Sequence, residues 1–234
     1  MTDLVLPVRS VRRATPASRI IRLDLQGHAF PYAPGQLAAI GPADRRDRVP
    51  YSIASAPEET AQHGGLDFLI KVDGSGRWGM QFEGLRRGAR IAVQGPSGTF
   101  VFPIHPRERR FAFIAGGTGI APLRSMLRHA VQSGLPGEYR VLYSARTTHD
   151  FAFLGELRKM AREGTIELTL TATREIPPRW RGGRGRIAPS HLTPLVADPV
   201  TLCFVCGPAA MVADVPPMLR ALGVDESRIR LEDW

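Results

Sequence analysis

Two rhythms of apolar and polar residues divide the chain. The first hundred residues read as short strands between turns. "RIIRLDL" (19–25) alternates apolar and polar positions, which puts its apolar side chains on one face of a strand. "APGQLAAIGP" (33–42) is a Pro-Gly turn feeding a strand. "LDFLIKV" (66–72) and "ARIAVQGP" (89–96) are further short strands between Gly and Pro turns. Strands this short and this closely spaced predict a small antiparallel β-barrel or sandwich.

The rhythm changes at "FPIHPRERR" (102–110), where two prolines and a charge cluster mark a linker. Beyond it strands and helices alternate. "FAFIA" (111–115) is an apolar strand. In "PLRSMLRHAVQSG" (122–134), Leu123, Met126, Leu127, Ala130 and Val131 fall at helical spacing, and Gly134 is the stop. "RVLYSA" is a strand, "FLGELRKMAREG" a helix ended by Gly164, and "IELTLTAT" and "TLCFVC" are strands. A last helix follows "GPAAM", with Pro216 and Pro217 expected to kink or break it. The alternation predicts a parallel sheet flanked by helices. The expected organisation is a β-barrel domain over 1–105 and an α/β nucleotide-binding domain over 106–234.

"GGTGIAP" (116–122) joins the first α/β strand to its helix. From Gly117 it reads GxGxxP, neither the dinucleotide GxGxxG nor a Walker loop, since no Gly-Lys-Ser/Thr follows. Gly116, Gly117 and Gly119, with Thr118 between them, let backbone N–H groups approach an anion. The next helix turns its positive end toward that anion. Pro122 suits the first helical turn, where its missing N–H costs nothing. A phosphate-bearing ligand is expected here.

The chain has 234 residues and a formal net charge of +9; Lys71 and Lys159 are its lysines, and arginine carries the remaining basic charge. Such a surface attracts nucleic acid, an anionic membrane or an acidic protein. Signatures of nucleic-acid modules are missing, and the basic run "RWRGGRGR" reads as a loop. No apolar run approaches the ~20 residues of a membrane span, and no signal peptide is evident, so a cytoplasmic protein without membrane contact is expected. The two cysteines, Cys203 and Cys206, are too few to hold a metal cluster or a structural zinc. Three apart on one strand, they stand roughly 10 Å apart, beyond disulfide reach.

The barrel-then-α/β order, "VPYSIAS" (49–55), "GGTGIAP" and "VCGPAAM" (205–211) together resemble the ferredoxin–NADP reductase superfamily over essentially the whole chain. The resemblance implies a flavin held at the barrel edge by an R-x-Y-S/T strand. Tyr51 would stack on the flavin ring, and Ser52 would bond its reactive nitrogen N5, with Ile53 next in the strand. The family's arginine falls on Val49; Arg48 stands one residue further back and would need a strand bulge, or another arginine of "DRRDR", to reach the phosphate. The Ser or Thr that touches the flavin phosphate in similar proteins is replaced by Gly79. Lys71, Val72, Gly76 and Trp78 would complete the flavin wall. FAD is favoured over FMN on this resemblance.

In similar proteins the cysteine of "CGP" lies against the nicotinamide, which here is Cys206, followed by Gly207, Pro208 and Met211. Arg146 and Arg174, with Ser144 and Arg184 behind them, are candidates for the 2′-phosphate of NADPH; NADH remains the alternative donor. Glu232 would relay protons beside the flavin and Trp234 would shield it. Ser52, Cys206 and Glu232 are thus the expected catalytic groups, with no metal. Three functions follow. The first is an NAD(P)H-dependent flavoprotein reductase feeding a separate acidic carrier (ferredoxin, flavodoxin) or an oxygenase component. The second is a reductase of free flavin or ferric complexes. The third is a non-catalytic nucleotide-binding regulatory subunit.

Overall fold

The structure, a computed structural model, describes residues 2–45, 47–72, 82 and 84–233. Two compact units divide the chain: Met1–Phe102 with Arg124–Ser133, and Pro103–Leu123 with Gly134–Trp234.

The first unit is built on six strands: β1 (Thr2–Thr15), β2 (Ser18–Asp24), β3 (Leu37–Pro42), β4 (Val49–Ser52), β5 (Gly65–Lys71) and β6 (Arg90–Ser97). They hydrogen-bond in the order β4-β3-β6-β1-β2-β5, every pair antiparallel. A bridge between Ile53 and Phe68 joins the two outer strands, so the sheet curls into a nearly closed barrel. The alternation in the sequence is the reason. Leu6, Val8, Ile21, Leu23, Ile40, Phe68 and Val93 all point inward and form one buried cluster. Two elements carry no clear sequence signal. Much of the long β1 is charged, and among its apolar residues only Leu6 and Val8 are fully buried. The short helix α1 (Pro57–His63) hides in a Ser/Glu-rich stretch; it starts on Pro57, and the Glu59 carboxylate accepts from the Ala56 N–H at its entrance.

A buried polar network secures α1 within this unit. The helix α2 (Ile120–Gln132) brings Arg124 and Arg128 to Glu59: Arg124 grips both carboxylate oxygens at 2.8 and 3.0 Å, and Arg128 Nε donates at 3.0 Å. Arg124 also donates to the Ala54 carbonyl at 2.7 Å, and the Ser125 hydroxyl to the Ser55 carbonyl at 2.7 Å. Burial opposes the charge on Glu59, but the hydrogen bonds and charge of Arg124, with the Ala56 N–H and the charge of Arg128, together outweigh it, and its carboxyl sits below the ordinary range.

The second unit is a six-stranded sheet of β7 (Arg110–Gly116), β8 (Glu138–Ala145), β9 (Glu167–Ala172), β10 (Gly183–Arg184), β11 (Leu202–Gly207) and β12 (Ile229–Asp233), with helices α3 (Leu154–Arg162), α4 (Pro189–Leu192) and α5 (Ala209–Ala221). Every neighbouring pair in the order β10-β9-β8-β7-β11-β12 is parallel. Gly134 and Gly164 follow their helices with positive φ, as the stop signals predict. Of the expected kink or break at Pro216 and Pro217, the break does not occur: the helix α5 runs on to Ala221. Val215, Pro216 and Leu219 are buried, so packing compensates for the lost backbone bonds. The edge strand β12 was not anticipated either: "IRLED" is mostly polar because most of it faces solvent.

Removing one partner of a buried ion pair costs about 3–5 kcal/mol. Arg124→Met is therefore expected to lower the unfolding free energy obtained from urea titration by that much at neutral pH. Because the Glu59 carboxyl is depressed in the fold, the stability it contributes is present above its ordinary value of 4.5 and is lost as pH falls below it. The gap between wild type and variant should narrow over that acid range.

Candidate functional site

In a parallel sheet the crevice for ligands opens at the carboxyl ends of strands where the strand order reverses. Here the reversal lies between β7, which continues outward to β8, and β11, which is added on the other side. The register sets what meets there. Cys206 pairs with Ala115, so the loop that follows Gly116 and the turn that follows Gly207 leave the sheet side by side.

The two turns pack backbone against backbone. A Cβ on Gly119 would stand 2.3 Å from the Cys206 carbonyl oxygen and 2.8 Å from the Gly207 nitrogen. One on Gly116 would meet Met211 Sδ at 2.7 Å and Pro208 at 2.9 Å, and one on Gly207 would stand 3.1 Å from the Gly116 Cα. Residues 117–119 form a tight helical turn, with Gly117 at φ 55°. The Tyr143 hydroxyl donates to the Gly117 carbonyl at 2.8 Å and accepts from the Ala152 N–H at 3.1 Å. Tyr143 is fully buried, and nothing in an apolar strand marks it as a loop anchor. Pro122 lies in the first turn of α2.

The same edge gathers other predicted residues. Ser144 pairs with Gly116, and Arg146 follows at the end of β8. Arg174 follows β9, and its N–H donates to the Arg146 carbonyl at 2.6 Å. Arg184 pairs with Ala172 on β10. Arg146, Arg174 and Arg184 are exposed. They form a basic rim suited to phosphate.

On the far side of β11, Cys206 pairs with Glu232, and its thiol lies 3.9 Å from Glu232 Oε2. Burial pushes the thiol's pKa up, and the charges of Glu232 and Asp233 push it further. The group is a neutral thiol that donates to the carboxylate. Cys203, on the same strand, is buried and free; burial pushes its pKa up to about 12. Among the described residues no cluster of His, Cys, Asp and Glu could hold a metal.

In the barrel, β4 pairs with β3 in unbroken register from Leu37↔Ser52 to Ile40↔Val49. No bulge carries Arg48 forward; its guanidinium bonds Asp3 of β1 at 2.9 Å instead. Tyr51 is half-buried, meets Phe82 edge-on at 5.8 Å, and burial pushes its phenol up to about 12. Phe82 carries no sequence signal of this role. Ser52 is partly exposed and Ile53 fully buried. Lys71 and Val72 stand three and four residues beyond Phe68, the residue bridged to Ile53. Gly76, Trp78, Gly79 and Trp234 lie outside the described residues.

A half-buried aromatic beside a hydroxyl suits a flat ring with acceptor nitrogens. The glycine turns suit a pyrophosphate, and the arginine rim a further phosphate. These features fit a flavin- and nicotinamide-dependent oxidoreductase. Residues 6–102 match the family described as Oxidoreductase FAD-binding domain, and 113–216 that described as Oxidoreductase NAD-binding domain. The chain is 31% identical over 239 residues to Ferredoxin--NADP reductase B of Sorangium cellulosum (strain So ce56), covering 96% of this chain and 95% of that protein. It is 27% identical over 241 residues to the propane 2-monooxygenase reductase component of Rhodococcus jostii (strain RHA1), covering 96% of this chain but 63% of that one. The crystal structure of the Amycolatopsis cytochrome P450 reductase GcoB superposes with a TM-score of 0.86 at 25% identity, covering 99% of this chain and 69% of that one.

The chain belongs to the ferredoxin–NADP reductase superfamily. It is an NAD(P)H-dependent flavin oxidoreductase with FAD and NAD(P)H as cofactors.

Forcing a Cβ into a packed backbone contact typically costs 1–3 kcal/mol. Gly119→Ala is expected to lower stability by about that much and to weaken nicotinamide binding, read by urea titration and ligand titration. Gly155→Ala, where a Cβ meets nothing within 4 Å, should change neither.

Proposed function

We propose that the protein takes reducing equivalents from NADPH, or from NADH, onto bound FAD and passes them to a separate acidic acceptor: ferredoxin, flavodoxin or an oxygenase component. The observation that carries this reading is the carboxyl edge of the parallel sheet, where the Gly116–Gly119 loop, the arginine rim and the Cys206–Glu232 pair follow one another strand by strand. When bound, flavin accepts a hydride from the nicotinamide and can release the electrons singly.

The chain's own residues then have distinct tasks. Gly116, Gly117, Thr118 and Gly119 cradle the nicotinamide dinucleotide's pyrophosphate, with Pro122 starting the helix behind them. Arg146 and Arg174 take the 2′-phosphate, with Ser144 and Arg184 beside them. Cys206, Gly207, Pro208 and Met211 face the nicotinamide, and the neutral thiol offers bulk without charge. Glu232 holds that thiol and moves a proton at its carboxylate. Tyr51 stacks on the flavin, Ser52 bonds its N5, and Ile53, Lys71 and Val72 border it. Residues 1–105 act as the flavin domain and 106–234 as the nicotinamide domain. Arg48, held by Asp3, is the weakest of the flavin ligands inferred from sequence.

The acceptor is inferred from charge. A net +9 favours an acidic partner docked through complementary fields. The relatives differ in the acceptors their names state, ferredoxin for one and an oxygenase for another. Val49 gives one observation in favour of a second reading, in which flavin is an exchangeable substrate; retention of flavin through dialysis decides between the two.

The purified protein should show flavin absorption that bleaches when NADPH is added without oxygen. Glu232→Gln is expected to slow that bleaching by about 10²-fold, within the range for a lost proton-transfer group, with the KM for NADPH nearly unchanged. Arg146→Ala should raise the KM for NADPH and not for NADH. Reduction of an acidic carrier should fall steeply with added salt; a flat response would sink the docking assignment.

A further inference from the structure

On the flavin reading, which this inference rests on, the β4 strand among the described residues offers the cofactor's phosphates no free arginine. Val49 stands where an arginine is implied, and Arg48 is engaged by Asp3. Elsewhere in the barrel three arginines line one hollow. Two turns, one after β3 and one before β6, enclose an open depression of about 560 Å³ lined by Pro42–Arg45, Gly84–Arg86 and Ala89–Ile91. Backbone bonds tie the rim together: Ala43 N–H donates to the Arg90 carbonyl at 3.0 Å, Arg45 N–H to Pro42 at 3.0 Å, and Ala89 N–H to Arg86 at 3.1 Å. Arg45, Arg86 and Arg90 are exposed, and among the described residues none of them is ion-paired. Asp44 is the single carboxylate among the lining residues. Three guanidinium groups around a ligand-sized hollow form an anion site, and guanidinium grips phosphate through paired N–H donors.

The position of the hollow identifies the anion. Phe82, which packs on Tyr51, accepts from the Leu85 N–H at 3.2 Å, and Leu85 lines the hollow. Along β3, Ala38 pairs with Tyr51 and Pro42 with Ile91. Four residues separate the two registers, about 13 Å at ~3.3 Å per residue. A flavin mononucleotide ends at its single phosphate. The dinucleotide carries a second phosphate and an adenosine beyond it. Pro42, Leu85 and Ala89 offer that adenosine an apolar floor.

We propose that Arg45, Arg86 and Arg90 bind the adenosine-diphosphate end of FAD and make the protein select FAD over FMN. The site replaces, with cations from two turns, the arginine that Val49 does not supply. No chemistry is assigned to it; it fixes the cofactor's distal end.

The test is titration of the full-length, flavin-stripped protein with FAD and with FMN, followed by flavin fluorescence. Wild type should bind FAD more tightly than FMN, and ADP should compete with FAD alone. The double variant R86Q/R90Q should bind FAD at least about tenfold more weakly, with FMN affinity within twofold of wild type. R45Q, on the opposite turn, should show a smaller loss of the same kind; circular dichroism checks that both variants are folded. Unchanged FAD affinity in both variants overturns the proposal, and unchanged affinity joined to weaker reduction of an acidic carrier assigns the patch to docking. Equal loss of FAD and FMN also overturns it. Wild type that binds neither flavin overturns the flavin reading itself, which is distinguishable because the failure appears before any substitution.

Discussion

The nicotinamide half depends on a contact too close for any side chain. Gly119 lies against the Cys206 carbonyl, and Gly207 against Gly116, with room for hydrogen and nothing larger. That contact follows from parallel register: β7 and β11 are neighbours, and Ala115 and Cys206 end them level. Turns leaving level strands must either diverge or pack backbone to backbone, and glycine permits the second. The glycine loop and the cysteine turn are therefore one object. The Tyr143 hydroxyl, buried beneath Gly117, fixes it from below.

The barrel meets a different constraint. Its polar residues are drawn inward around Ser55 and Glu59, where Tyr32, Thr60, Asp67, Arg124 and Ser125 exchange hydrogen bonds. A carboxylate in such a place is unfavourable until its oxygens are filled, and Glu59 has two guanidinium groups and an N–H on them. The backbone held in this way, Ala54 and Ser55, begins two residues after Ser52. The expected flavin-contacting strand therefore runs straight into the most heavily bonded stretch of the unit.

Much of this was legible in the sequence, and the rest was hidden for physical reasons. Period-two alternation disclosed β2, and short apolar runs between Gly and Pro turns disclosed β5 and β6, each to within a residue. The glycine loop disclosed itself because its residues have few other uses. The strand β12 did not, since an exposed edge strand needs no apolar face. Nor did Glu59 and Arg124, 65 residues apart, because an ion pair leaves no periodic trace. Phe82 and Tyr143 read as ordinary core residues, and only their neighbours give them roles. The helix α5 ran through two prolines because burial can outweigh a local preference.

Arginine links these parts. The guanidinium group keeps its charge in nearly any surroundings and forms planar, paired bonds. It does opposite work according to burial. Arg124 is enclosed and bonded to Glu59 and the Ala54 carbonyl, and it organises backbone. Arg146, Arg174 and Arg184 are exposed along one sheet edge, where a charge is held ready for a ligand. The net +9 is therefore not uniform positive paint. Ion-paired arginines such as Arg22 and Arg110 add little to the external field, because Asp67 and Asp198 cancel them locally. What reaches solvent is the unpaired remainder, and among the described residues two of its concentrations are the carboxyl edge of the parallel sheet and the hollow between β3 and β6.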